Sequence, residues 1–176
     1  LYGEQDDDIL IGGAGVDSLY GGTGNDTYVF AAGDGFDYVY ESTDEGTDTI
    51  RLAGYATSDV RMWTDSSGHL HIANKADAAD ETVILAATTG ASGTSFETDI
   101  GLYVENVLFD DTTNWSLTGG LMLEGGSYGE AIYGSQYNDT ISGMDGYDSL
   151  YGNRGNDTLI GGAGVDSLYG GTGNDT

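Results

Sequence analysis

The sequence predicts an all-β protein in which two glycine-rich blocks of short, regularly spaced strands flank a small antiparallel β domain. Three observations lead there. A nine-residue pattern, G-G-x-G-x-D-x-U-x with U a large apolar residue, recurs toward both ends of the chain. The middle replaces it with short segments of alternating apolar and polar residues. Glycine fills 31 of 176 positions and proline none, which suits many tight turns and strands left free to pair.

The N-terminal block, residues 1–46, places Asp8, Asp17 and Asp26 at the sixth position of the pattern, with Leu10, Leu19 and Tyr28 at the eighth. A degraded line over 32–40, shifted two residues out of register, supplies Asp37 and Val39. The middle, 47–122, shows alternation at 59–64, 69–74, 82–86, 102–109 and 115–117. Turn-forming stretches such as DSSGH and DDTTN separate these segments, which predicts antiparallel hairpins. In the C-terminal block, 123–176, counting from Gly125 puts Glu130, Asp139, Asp148, Asp157, Asp166 and Asp175 at the sixth position. Ile132, Ile141, Leu150, Leu159 and Leu168 then fall at the eighth. A longer period overlies the short one. Leu10–Thr27 recurs unchanged as Leu159–Thr176, 149 residues on, as in a tandem array.

Charge narrows the range of partners. Thirty acidic residues against four basic ones give a formal charge of −26, which excludes nucleic acid and anionic membrane surfaces. No apolar run approaches the ~18 residues a membrane span needs, so no insertion is expected. Cysteine is absent, which removes disulfides and thiolate metal sites. Aspartates at fixed positions among glycines favour a bound cation, and an all-oxygen set of carboxylates and backbone carbonyls suits calcium.

These nonapeptides resemble the haemolysin-type calcium-binding repeats of RTX proteins, over roughly residues 1–40 and 123–176. The order DTIRL, an apolar hairpin and VENVLFDDTTNW is similar to the haemolysin-associated β domain that accompanies such blocks. The resemblance implies a right-handed parallel β-roll, two nonapeptides to a coil, with calcium between loops eighteen residues apart. It implies ligation by the sixth-position carboxylates of Asp8, Asp17, Asp26, Asp37, Glu130, Asp139, Asp148, Asp157, Asp166 and Asp175. Second- and fourth-position carbonyls would come from Gly13, Gly15, Gly126, Tyr128, Ser135, Tyr137, Gly146, Asn153 and Gly155. First- and third-position carbonyls would come from Gly21, Thr23, Gly143, Asp145, Gly152, Arg154, Gly161, Ala163, Gly170 and Thr172. The implied pairs are Asp8 with Asp26, Glu130 with Asp148, Asp139 with Asp157, Asp148 with Asp166 and Asp157 with Asp175, for roughly four to seven ions.

Glycines at the first and fourth positions are expected to take positive φ and turn the chain. Glu130, Tyr137, Glu4 and Asp6 depart from the pattern and weaken their own loops. Carboxylates stacked about 5 Å apart repel by roughly 0.8 kcal/mol per pair even in water, so the calcium-free blocks are expected to be disordered. At affinities of ~10⁻⁴ M, millimolar calcium contributes about 1.4 kcal/mol per site, and about five sites contribute about 7 kcal/mol.

The expected role is therefore a calcium-binding structural module of a large secreted or cell-surface protein, folded after export. Type I secretion from a Gram-negative bacterium follows from the resemblance alone. Its partners are calcium and neighbouring units, with end-to-end self-association at open strand edges. The alternative is a carbohydrate- or surface-binding adhesin module, with the rolls as spacers and Trp63, Trp115, Tyr55 and Phe96 as the contact surface. Enzymatic activity is not expected. The G-x-S-x-G at 125–129 opens a nonapeptide series and lacks the strand-to-helix context of a nucleophile elbow. His69 and His71 share a strand face but find no third metal ligand in the sequence.

Overall fold

The computed structural model describes residues 1–41, 46–65, 69–76, 83–87 and 104–176, with 83–87 described by its backbone alone. Phe96 and parts of the segments expected at 82–86 and 102–109 lie outside the described residues. In chain order the strands are β1 (Tyr2–Gln5), β2 (Ile9–Ile11), β3 (Ser18–Thr23), β4 (Thr27–Ala31), β5 (Tyr38–Glu41), β6 (Thr49–Ala53), β7 (Val60–Thr64), β8 (Leu70–Asn74), β9 (Val83–Ala87), β10 (Asn106–Phe109) and β11 (Asn114–Ser116). They continue as β12 (Met122–Glu124), β13 (Ala131–Tyr133), β14 (Thr140–Ser142), β15 (Asp145–Gly146), β16 (Ser149–Tyr151), β17 (Thr158–Ile160), β18 (Ala163–Gly164) and β19 (Ser167–Tyr169). The helical structure among the described residues is a 3-10 turn at Thr57–Asp59. No helix there is long and apolar enough to cross a membrane.

The chain forms two compact units. In the second, which contains Arg61–His69 and Thr118–Thr176, the nonapeptide sets the geometry directly. Its last three residues, x-U-x, make a strand with only the middle side chain turned inward, as in β14, where Ile141 is fully buried between exposed Thr140 and half-buried Ser142. Strands then pair in parallel with the one eighteen residues on: β12-β14-β17 form one sheet, β13-β16-β19 a second and the short β15-β18 a third. Stacking in register aligns Ile132 with Leu150 and Leu168, and Leu123 with Ile141 and Leu159. It also aligns the ninth position, so Tyr133, Tyr151 and Tyr169 stack with ring centroids 4.6 and 4.9 Å apart. Thr64 of β7 receives the Tyr133 N–H at 2.8 Å and donates its hydroxyl to the Tyr133 carbonyl.

The first unit, Leu1–Val60, Leu70–Thr88 and Leu102–Leu117, begins with the same rule and stretches it. Leu10 aligns with Tyr28 at eighteen residues, but Leu19 aligns with Val39 at twenty, as the shifted line predicts. Tyr28 aligns with Ile50 at twenty-two, and Ile50 with Val107 at fifty-seven. The coils lengthen while their strands stay stacked. Tyr2, Tyr20 and Tyr40 repeat the outer tyrosine ladder at 4.6 and 4.5 Å.

The middle of the chain departs from the expected antiparallel domain. β6 pairs in parallel with both β4 and β10, and β9 pairs in parallel with β5. Among the described residues, antiparallel pairing joins β10 to β11 and β8 to β9. The physical reason is that alternation reports one buried face and says nothing about strand direction. An open parallel edge such as that of β4 is satisfied by the next available strand, whatever the length of chain between them.

Candidate metal sites

The loops between strands show why the first position of the repeat is glycine. A β-carbon on Gly143 would sit 2.5 Å from Asp148 Oδ2 and 2.6 Å from the Gly161 carbonyl oxygen. On Gly3 it would sit 2.5 Å from the Gly21 carbonyl and 2.7 Å from Asp8 Oδ2. The first position is thus a place where a carboxylate oxygen and a carbonyl oxygen one coil on converge over a bare Cα. Its φ is not positive, which corrects the expectation for that position. Left-handed backbone falls instead at the second and fourth positions. In the line that starts at Gly152, Asn153 has φ 71° and Gly155 φ 123°. Met144 (71°) holds the second position one line earlier, and Glu4 (80°) and Asp6 (76°) hold the second and fourth in the first line. The departures at Glu4 and Asp6 therefore keep the turn. Tyr128 and Tyr137 do not adopt positive φ, so their loops turn differently.

The sixth-position carboxylates form ladders. Each Oδ1 accepts the backbone N–H of the acidic residue one coil earlier: Asp26 from Asp8 (2.8 Å), Asp37 from Asp17 (2.9 Å) and Asp48 from Asp26 (2.8 Å). In the second unit Asp148 accepts from Glu130 (2.9 Å), Asp157 from Asp139 (2.8 Å), Asp166 from Asp148 and Asp175 from Asp157 (both 3.1 Å). Every implied pair is thus brought together, and Asp17 with Asp37 joins them.

The second oxygen tests whether a cation fits. Oδ2 of Asp8, Asp26, Asp37, Asp148 and Asp157 is buried and has no hydrogen-bond partner. A carboxylate oxygen out of water without a donor is costly unless it is protonated or meets a positive charge. Accordingly burial pushes the carboxyls of Asp26 and Asp37 up, and that of Asp157 up to about 6, where the nearby charges of Asp139 and Asp175 add to the effect. Each of these oxygens except that of Asp37 borders a first-position glycine, and at Gly3, Gly143 and Gly152 a backbone carbonyl faces the same point. Carboxylates and carbonyls without nitrogen or sulfur suit a hard cation of calcium type.

Two loops are different. Glu130 turns both oxygens onto the N–H of Gly126 at 3.2 Å, beside the Arg61 guanidinium. Asp139 accepts the Leu121 N–H at 2.6 Å and both the N–H and the hydroxyl of Ser135. Both carboxylates stand where the repeat predicts, but protein donors already satisfy them. Second-position carbonyls are also engaged: those of Met144 and Asn153 accept the N–H groups of Ala163 and Thr172 at 2.7 and 2.8 Å, and that of Gly126 accepts from Asp145 at 3.4 Å. Third-position residues pair across coils, Asp145 with Ala163 and Arg154 with Thr172, and fourth-position Gly15 pairs with Gly35.

Sequence reasoning missed Asp48 and Glu105 as rungs of the ladder. Asp48 donates its N–H to Glu105 Oε2 at 2.7 Å. A signal existed, because Asp48-Thr49-Ile50 and Glu105-Asn106-Val107 repeat the acid-x-apolar half of the nonapeptide without its glycine half. Ser127 lies exposed in the turn between β12 and β13. His69 Nδ1 lies 3.0 Å from Asp65 Oδ2, and His71 is buried. Trp115 packs edge-on against Phe109, Trp63 lies under Arg61, and Tyr55 is buried.

A family model described as the RTX calcium-binding nonapeptide repeat matches four copies, over residues 2–39, 124–159 and 145–176, more than half of the chain. No curated protein matches. Among solved structures the chain is similar to the extracellular lipase LipA from Serratia marcescens, at 17% identity and a TM-score of 0.40. That match covers 93% of this chain but only 27% of the lipase chain.

Proposed function

The chain belongs to the RTX calcium-binding nonapeptide repeat family, and on that premise we propose that it is a structural module folded by calcium and not an enzyme. The observation that carries this reading is the set of buried aspartate Oδ2 atoms without hydrogen-bond partners, most of them beside a converging backbone carbonyl. Asp8 with Asp26, Asp17 with Asp37, Asp148 with Asp166 and Asp157 with Asp175 would each hold one ion, helped by first-position carbonyls such as those of Gly21, Gly161 and Gly170. Bound calcium neutralises the carboxylate ladders and replaces the missing donors.

The protein's own residues prepare the loops. Left-handed second and fourth positions turn the backbone, bare first positions leave space for oxygen, and inward Leu, Ile and Tyr side chains hold the strands in register. Without the ion the charge of −26 opposes compaction. Calcium is submicromolar in cytosol and millimolar outside cells, which supports a module exported unfolded and folded at its secreted or cell-surface destination. The 149-residue recurrence supports a place in a tandem array, with neighbouring units as partners.

Far-UV circular dichroism during a calcium titration, with magnesium as control and calorimetric stoichiometry alongside, tests the reading. The expected result is a cooperative gain of β structure at submillimolar to millimolar calcium, with several ions per chain. A spectrum already folded in chelator and indifferent to calcium would overturn it.

A further inference from the structure

Where the nonapeptide series of the first unit gives way to longer coils, three carboxylates gather inside it. Asp26, Glu41 and Asp48 are 1%, 6% and 7% exposed, and one oxygen of each lies within 4.8 Å of the others. Asp26 Oδ2 is buried and has no hydrogen-bond partner.

Comparison with the regular lines shows what these oxygens replace. A β-carbon on Gly3, Gly143 or Gly152 would meet two oxygens: Oδ2 of its own line's aspartate and the carbonyl of the glycine one coil on. On Gly21 it would meet Asp26 Oδ2 in the same way, but the other oxygens are the Tyr28 hydroxyl and Glu41 Oε1. Tyr28 also hydrogen-bonds Glu41 directly. Asp48 completes the ladder, its Oδ1 receiving the Asp26 N–H at 2.8 Å across a coil of twenty-two residues. Side-chain oxygens thus stand where a repeated carbonyl would be.

We propose that Asp26, Glu41 and Asp48, with the Tyr28 hydroxyl, form a calcium site of their own, distinct in its ligands from the repeat sites and tighter than they are. An all-oxygen donor set selects a hard cation, and affinity in such sites rises with the number of ligand charges. Three carboxylates here replace the two of a regular loop pair, so this site fills first. Glu41 lies outside the nonapeptide formula, and Tyr28 fills its eighth, apolar position with a side chain that also carries a hydroxyl. The inference rests on the calcium-folding reading above and adds to it.

Calcium titration calorimetry on the intact chain, in the presence of magnesium, tests it. The wild type is expected to bind one ion at least tenfold more tightly than the rest. Glu41→Gln should lose that class, with stoichiometry lowered by one and the weaker class retained. Asp166→Asn should lose a weak ion and keep the tight one. A Glu41→Gln protein that titrates like the wild type overturns the proposal and leaves the repeat sites standing, whereas a wild type that binds no calcium overturns the function itself. If circular dichroism shows that Glu41→Gln does not fold, Tyr28→Phe decides. A tight class weakened several-fold supports the site, and an unchanged one overturns it.

Discussion

Glycines in these loops answer to two different constraints, and substitutions separate them. At the first position the constraint is contact: a methyl on Gly143 would collide with Asp148 Oδ2 and the Gly161 carbonyl. Gly143→Ala should therefore cost about 1–3 kcal/mol by overpacking and also weaken calcium binding, read by urea unfolding with and without calcium. At the second position the constraint is the torsion angle. Met144, at φ 71°, bears a left-handed cost of roughly 1–2 kcal/mol, of which glycine would return about 0.5–1 kcal/mol as added unfolded-state entropy. Met144→Gly is thus expected to stabilise the calcium-loaded protein by up to about 1 kcal/mol in the same assay.

The buried carboxyls give pH a sign. Burial pushes Asp157 and Asp48 up to about 6, so the calcium-free fold favours their neutral forms. That stabilisation is present below the ordinary carboxylate pKa near 4 and is lost as pH rises through about 6. In chelator the protein should show more β structure at pH 4 than at pH 7.5. Calcium affinity should climb over the same interval, with proton release seen by calorimetry in buffers of different ionisation enthalpy.

A strand here is three residues with one inward side chain, so each element depends on its stacked neighbours. Ile141 of β14 is fully buried and aligned with Leu123 and Leu159, whereas Leu168, on the outermost strand of its sheet, is 48% exposed. Ile141→Ala should cost about 2–4 kcal/mol and Leu168→Ala less than about 1 kcal/mol in calcium-saturated unfolding. The eighteen-residue pairing of these elements is legible in the sequence, as is the two-residue shift that sets Val39 on Leu19. The parallel placement of β6, β9 and β10 is not, because their alternation carries no direction and their partners lie up to fifty-seven residues away.

The whole chain carries thirty acids, and charge repulsion and donor shortage oppose its calcium-free fold separately. Raising the salt to ~1 M shortens the screening length to about 3 Å and relieves the repulsion, but it supplies no ligand to a buried Oδ2. High salt in chelator should therefore recover only part of the β signal that calcium produces, and circular dichroism would show the remainder restored on adding calcium. Full recovery by salt alone would reduce calcium to a screening ion.

The nonapeptide by itself determined the strand length, the inward residue and the ladder of sixth-position acids, because all three follow from a nine-residue geometry repeated in register, while the eighteen-residue pairing distance came with the family resemblance. Tertiary structure decided which of those acids remain open to a cation. Asn138-Asp139-Thr140 and Asn156-Asp157-Thr158 are the same motif, yet Asp139 finds donors in Ser135 and Leu121 while Asp157 keeps a buried oxygen without one. Glu41 likewise meets Asp26 only once the coils have closed. Hydrogen-bond satisfaction belongs to the neighbours a group acquires in space, and the spacing of a motif cannot supply them.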